Sequence, residues 1–232
     1  MRGNNIVKKL LKLSALMVAA FGIVAGFAVT PSYAASNTNV TQSITAGSLT
    51  TDIRDASRVA VAGPTFALGA VGFSFSCQTS TGTIGSTAQR LYVDNPGAAN
   101  NGWTLTLAAT AGATDTWKNA GTTQSFDFND PTTSGCDDGV DADSRPGQLT
   151  VNPSVGTLTA DCTSCTTANI TKGASSAYSQ GVLDSVTILN AAAASDDAGR
   201  WYLTGVGVSQ TIPAEQAVDS YTVNLTATVT AS

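Results

Sequence analysis

Apolar and polar residues alternate along several short segments of the chain, most clearly in WTLTLAA at 103–109 and YTVNLTATVT at 221–230. A period of two residues places alternate side chains on opposite faces of a β-strand, so one face is expected on a core and the other in water. Similar segments recur about every eight to twelve residues between Gly, Pro, Asn and Asp, as in β-sandwiches. The predicted strands are 38–44, 48–53, 67–77, 90–94, 103–109, 124–129, 148–152, 157–161, 185–190, 201–209 and 220–230.

Helical periodicity is not convincing in any segment of about eleven or more residues after position 34. The sequence therefore predicts an all-β fold, an antiparallel β-sandwich of about 8–11 strands. No obvious linker interrupts it. We expect a single domain over residues 35–232, with an insertion rich in Asp and Cys around 127–165.

Residues 1–34 have the features of a signal peptide. A basic start precedes an apolar stretch over about residues 13–29, and Ser32, Tyr33 and Ala34 form a cleavage site with small residues at its key positions. The alternative is an N-terminal membrane anchor, which the glycines and the proline in this region disfavour. We expect a secreted, extracellular protein of the cell surface with no membrane segment after cleavage. The basic residues of the start are Arg2, Lys8, Lys9 and Lys12.

Charge and residue usage narrow the function classes. Cleavage leaves 7 basic and 16 acidic residues, a net charge of −9. That sign argues against binding nucleic acid or an anionic membrane through phosphates. The sequence has no histidine, which removes Ser-His-Asp and Cys-His nucleophiles and the usual general base near neutral pH. We expect no enzyme, although two carboxylates could still cleave a glycoside.

Four cysteines, Cys77, Cys136, Cys162 and Cys165, stand in a chain that is expected to be exported. An even count there predicts two disulfides, for which three connectivities are open. A bridge between Cys162 and Cys165 would be a tight clip and would leave Cys77 and Cys136 to tie a long loop to the sheet. The alternative is a zinc site with four cysteine ligands, which would require a second closely spaced pair.

Acidic residues concentrate in the segment DFNDPTTSGCDDGVDAD at 127–143. Carboxylates this close repel one another unless they are solvated or share a cation, and calcium takes six to eight oxygen ligands in flexible loops. The spacing does not match an EF-hand. The two interpretations are a calcium site and a solvated acidic loop. The candidate ligands are Asp127, Asn129, Asp130, Asp137, Asp138, Asp141 and Asp143.

Two Trp-x-Leu triplets begin predicted strands. Trp103 and Leu105 share one face of the first strand, and Trp201 and Leu203 share one face of another. The tryptophans either cap the ends of one core or form an exposed patch on which sugars could stack. Trp117 lies among polar residues and is expected to be the more exposed of the three tryptophans.

The chain resembles the WxL and WxL-like surface domains of bacteria at its two ends, about half of the mature sequence. The first block is LYVDNPGAANNGWTLTL and the second runs from LTGVGVSQTIPA to the C-terminus. One departure is that Ala227 stands where the family carries a second tryptophan, so that the second triplet falls one strand earlier. The matching residues are Asp94, Gly97, Gly102, Trp103 and Leu105, then Ile212, Pro213, Ala214, Tyr221 and Leu225.

The resemblance implies a β-sandwich and non-covalent attachment to peptidoglycan or other surface proteins. The first functional hypothesis is therefore a secreted, non-catalytic cell-surface protein. The second is a subunit of an extracellular fibre or surface lattice, in which a segment such as NVTQSITA adds to a neighbour's sheet edge and calcium stiffens the joints. A carboxylate-dependent hydrolase is the third hypothesis.

Overall fold

The computed structural model describes residues 41–45, 47–97, 101–132, 136–139, 143–193 and 198–232. Within these ranges the protein has sixteen strands, one short 3-10 helix at Pro153–Val155 and no α-helix, which confirms the predicted all-β class. The strands are β1 (Thr50–Arg54), β2 (Gln78–Ile84), β3 (Arg90–Asn95), β4 (Trp103–Ala109), β5 (Trp117–Asn119), β6 (Ser125–Phe126), β7 (Asn129–Asp130), β8 (Gly147–Asn152), β9 (Thr157–Ala160), β10 (Ile170–Lys172), β11 (Ser176–Ala177), β12 (Ser185–Ala191), β13 (Gly199–Thr204), β14 (Val206–Ile212), β15 (Tyr221–Thr222) and β16 (Leu225–Ala231).

The first layer is built on β13 and β14, which follow one another with only Gly205 between them. Gly205 has a φ of +69°, a conformation that favours glycine, and it interrupts the strand at this level. β3 and β2 pair along one side of β13 and β14, while β9 and β8 pair along the other side. The result is two four-stranded antiparallel paths, β1-β3-β13-β9 and β11-β8-β14-β2, that continue into each other.

The second layer has the antiparallel order β10-β12-β4-β16. Its central strand β4 begins directly after Gly102, whose φ is +83° and where an added Cβ would lie 2.5 Å from the Ala191 carbonyl oxygen. Only glycine is tolerated at such a position. A small third sheet, β15-β5-β6, is formed by the segments that precede β16 and follow β4.

The core lies between the two layers, and β4 contributes four of its buried residues, Trp103, Leu105, Leu107 and Ala109. Every second residue of β4 is buried, as the sequence pattern predicts. Tyr178 is fully buried and its hydroxyl donates to the Leu107 carbonyl oxygen at 2.7 Å, which joins the region after β11 to β4. Burial raises the pKa of Tyr178, so the hydroxyl keeps the proton that it donates. Thr45–Ser232 forms one compact, sandwich-like unit.

Most predicted strands are observed within a few residues of their predicted bounds. The segment 201–209 is divided into β13 and β14, 220–230 into β15 and β16, and 124–129 into the short β6 and β7. Of 38–44, residues 38–40 lie outside the described ranges and 41–44 belong to no strand.

The predicted strand 67–77 is wrong. Only Leu68 forms an isolated bridge there, opposite Gly82, and the strand lies immediately afterwards at β2. The sequence of β2, QTSTGTI, has one large apolar residue and therefore little of the pattern of a half-buried strand. It forms a strand because each of its residues, from Gln78 to Ile84, pairs with a residue of β14, with Ile84 opposite Val206.

Candidate functional site

The two Trp-x-Leu triplets lie inside the protein. Trp103, Leu105, Trp201 and Leu203 are each 0% exposed, and the two indole rings are 5.7 Å apart between the layers. The Trp201 indole N–H donates to the Thr166 carbonyl oxygen at 2.7 Å. The four residues are therefore part of the core. Because they are buried, the alternative that they form an exposed patch for sugars is wrong.

Trp117 is the most exposed of the three tryptophans, as predicted, although it is half-buried in β5 instead of lying in a loop. Its ring stacks on Phe126 at 5.8 Å, and its indole N–H donates to the Gln210 side-chain oxygen at 2.9 Å.

Both predicted disulfides are present, with Cys77 bonded to Cys136 and Cys162 bonded to Cys165. The first joins the residue before β2 to the acidic segment 59 residues later. The second joins two cysteines that are three positions apart and so closes a very short loop. The Arg200 backbone N–H lies 3.3 Å from Cys165 Sγ, so the clip rests against the start of β13.

The candidate calcium ligands divide into a buried and an exposed group. Asp127, Asn129 and Asp130 are buried at β7. The Asp127 carboxylate accepts from the Phe128 N–H at 2.6 Å, and that of Asp130 accepts from the Gly139 N–H at 2.7 Å. The Asn129 side-chain nitrogen donates to the Ala113 carbonyl oxygen at 2.8 Å, while its side-chain oxygen has no hydrogen-bond partner within the described ranges.

The other acids of this segment lie at the surface or outside the described ranges. Asp137 and Asp138 are exposed, Asp143 pairs with Arg145 at 2.8 Å, and Asp141 lies outside the described ranges. The described residues include no group of three acidic or cysteine side chains arranged to hold a metal ion. Calcium binding stays a prediction. Calorimetric titration of residues 35–232 at millimolar calcium tests it. Binding heat and a raised melting temperature would support calcium binding, and the absence of both would contradict it.

The outer side of β1, β3 and β13 carries a concentration of arginine and tyrosine that the sequence analysis did not single out. The same alternation that turns Trp201 and Leu203 inward turns Arg200 and Tyr202 outward. Their neighbours on β3 and β1 lie in register with them. We call this surface the arginine face. Its residues are Asp52, Arg54, Arg58, Arg90, Tyr92, Asp94, Asp161, Arg200 and Tyr202.

Ion pairs order most of the arginine face. Asp94 accepts from Arg54 at 2.6 Å and from Arg200 at 2.7 Å, which joins β1 and β13 across β3. Arg58, in the turn after β1, binds Asp161 after β9 at 2.7 and 3.0 Å, and so connects the two edges of this sheet. The Arg58 hydrogen bonds hold the pKa of Asp161 below its usual range. This pair is therefore lost only as the pH falls through that lowered pKa.

Two tyrosines lie within this network. Tyr92 is 0% exposed although it is on the outer side of the sheet, because the Arg54 guanidinium lies 5.3 Å from its ring and the Tyr202 ring lies 5.4 Å away. The Arg90 guanidinium lies 4.4 Å from the Tyr202 ring centroid, within cation–π distance. Within the described ranges, Arg90 has no acid within ion-pair distance. The guanidinium is therefore held in place by an aromatic ring and makes no ion pair within these ranges, although the charge of Asp161 acts on it from a greater distance.

Four of the seven basic residues that follow position 34 lie on this one face. Surface ion pairs contribute only about 0–1 kcal/mol each to folding, and the more buried pair of Arg54 with Asp94 is also weak evidence for stability, so stability alone gives little reason for this concentration. Arginine and tyrosine are also the residues that dominate binding surfaces, because both combine a large rigid contact area with polar groups. The sequence did contain the pattern, as RLYVD at 90–94 and GRWYL at 199–203.

Comparison with family models, with curated proteins and with solved structures finds no match to this chain. The part of the chain that the structure describes contains no helix of the length and hydropathy needed to cross a membrane.

Proposed function

We propose that this protein is a secreted, non-catalytic protein of the bacterial cell surface that binds non-covalently to the cell wall or to proteins on it through the arginine face. The single observation that carries the proposal is the Arg90 guanidinium, ordered on Tyr202 without an acidic partner among the described residues. The fixed fork of the guanidinium matches a carboxylate. Peptidoglycan carries carboxylates on its peptide stems, and surface proteins carry them as acidic side chains.

Two further features support this proposal. Disulfides persist in oxidising compartments, so the two bridges agree with export. The resemblance to WxL-like domains suggests wall attachment, but the buried triplets turn no aromatic ring toward a ligand. Attachment would therefore use a different surface. The arginine face is such a surface, on the side of β13 opposite to Trp201.

Mature protein, residues 35–232, is expected to co-sediment with purified, protein-free peptidoglycan, and retention is expected to fall with rising salt. Arg90→Ala should weaken retention at least about tenfold, because it removes a charge-assisted contact worth about 1.5–3 kcal/mol. Arg145→Ala is the control, since Arg145 is an exposed arginine that pairs with Asp143 in the acidic segment and does not belong to the arginine face, whereas Arg90 is half-buried. Sedimentation over a range of peptidoglycan concentrations measures both variants.

An equal loss of retention for Arg90→Ala and Arg145→Ala would show that binding depends on non-specific electrostatic attraction and not on the arginine face. No retention of the unmodified protein would argue against peptidoglycan and leave a surface protein as the candidate partner. Cross-linking to intact cells, with Arg90→Ala and Arg145→Ala compared again, tests that case.

A further inference from the structure

The second layer ends at β16, and one edge of β16 has no partner strand within the described ranges. Its threonines point outward, whereas Leu225, Ala227 and Val229 face the core but are only half-buried. The strand has neither a charged residue nor a proline, which are the usual means of preventing an edge from pairing. β1 lies near β16 but forms no ladder with it. The free backbone groups of β16 are therefore able to pair with an additional strand.

A cleft of about 420 Å³ follows the first half of β16 and reaches the core. Leu225 and Ala227 form one wall, and Phe66 and Leu68, from the irregular segment before β2, form the other. Its floor includes core residues such as Leu107. Other core residues that line it, Ile84 and Val208, keep 9% and 8% exposure. We call this the β16 cleft. It is an apolar space beside a free strand edge, which is what an added strand with alternating apolar side chains requires.

The N-terminal end of the mature chain has the pattern of such a strand. No charged residue occurs from Ala35 to Thr51, and Val40 and Ile44 are four positions apart and so share one face of a strand, with Gln42 between them on that face. Residues 41–45 belong to no strand, and Ile44 is 91% exposed. A large aliphatic side chain this exposed gains free energy if a partner buries it.

We propose that the β16 cleft accepts residues 38–45 of a second copy of this protein as an added strand, with Val40 and Ile44 in the cleft. The inference goes beyond wall binding and does not depend on the arginine face. A second copy is the occupant because this uncharged segment, with Val40 and Ile44 on one face, complements an uncharged edge and an apolar cleft. Donor segment and cleft are different surfaces, so repetition of the contact is head-to-tail and builds a fibre unless the rotation closes a ring.

Two variants separate the donor from the acceptor. Ile44→Asp places a charge on the face that would enter the cleft, whereas Ser43→Asp places the same charge on the opposite face and is its matched control. Ala227→Trp fills the cleft and leaves the donor segment unchanged. Size-exclusion chromatography with light scattering, on residues 35–232 with intact disulfides, measures mass against concentration.

The unmodified protein and Ser43→Asp are expected to gain mass with concentration and to form linear polymers under negative stain. Ile44→Asp and Ala227→Trp should each be monomeric, with at least tenfold weaker self-association. Mixed together, they should form a dimer, because the first keeps an intact cleft and the second keeps an intact donor segment. Formation of the dimer also shows that both variants fold, and Ala227→Leu serves as a milder acceptor variant if Ala227→Trp does not melt cooperatively.

Three outcomes would overturn the proposal. One is a monomer at every concentration, which would assign the cleft to another partner. Another is self-association that Ile44→Asp does not weaken relative to Ser43→Asp. The third is the lack of a dimer in the mixture when both variants melt like the unmodified protein. None of these outcomes bears on wall binding, which the Arg90 comparison tests separately.

Discussion

Replacing Trp103 with alanine is expected to lower the free energy of unfolding by about 3–5 kcal/mol, a large share of the 5–15 kcal/mol that stabilises a typical domain. The ring is fully buried against Trp201 between the two layers, so its removal loses burial and leaves a cavity that both layers hold open. Urea denaturation followed by far-ultraviolet circular dichroism measures the change. Val182→Ala, at a side chain that is 82% exposed, should change it by about 0.5 kcal/mol or less.

A second substitution at the same position separates stability from binding. Trp103→Phe keeps an aromatic ring in the core and is expected to stay folded and to co-sediment with peptidoglycan as the unmodified protein does. Loss of retention in a folded Trp103→Phe protein would show that the triplet contributes to binding after all. A loss of less than about 1 kcal/mol for Trp103→Ala would contradict its place in the core.

Removing the bridge between Cys77 and Cys136 is expected to cost about 4 kcal/mol, whereas removing that between Cys162 and Cys165 should cost about 2 kcal/mol. The difference follows from the chain entropy of the unfolded state, since the first bridge closes a separation of 59 residues and the second a separation of three. The variants are the double serine replacements of each pair. Thermal and urea unfolding under oxidising conditions measure both.

Each pair is the control for the other, because both double variants lose one bridge between an exposed and a half-buried cysteine. Equal losses would show that native-state packing around the bridges outweighs loop closure. The second variant also has a local consequence to measure. Cys165 lies against the start of β13, so its loss is expected to loosen Arg200 and to weaken peptidoglycan retention more than the first variant does at a temperature where both are folded.

The two proposed surfaces lie in different parts of the sandwich and serve compatible roles. The arginine face is the outer side of the first layer, and the β16 cleft opens between the layers beside the last strand of the second. A protein that uses both would line the wall with joined copies. The Ile44→Asp protein tests this directly, because it should keep its retention per molecule on peptidoglycan while losing self-association.

Alternation in the sequence was sufficient to predict the strands that have one face on the core. In β4 and β13 each buried residue is followed by an exposed or half-buried one, so the period of two is visible without the structure. It failed for β2, which is polar and depends on its ladder with β14, and for 67–77, whose apolar residues line cavities beside β2 without forming a strand. Short strands such as β5 and β10 were missed, because three residues hold no readable period.

Patterns and counts along the chain were enough to predict the all-β class, the shared face of each Trp-x-Leu pair and two disulfides, because each follows from neighbouring residues or from a count. The three-dimensional arrangement was needed to show that Trp103 and Trp201 face the core, which cysteines pair, that the Asp127 and Asp130 carboxylates are buried in local hydrogen bonds, and that four arginines from separate segments meet on one face. The same holds for Ala227. The resemblance to WxL-like domains marks it only as a position where a tryptophan would be expected, and in the structure it lines the β16 cleft beside Leu225. Such features depend on register between strands that are far apart in sequence, and a local pattern holds no information about that register.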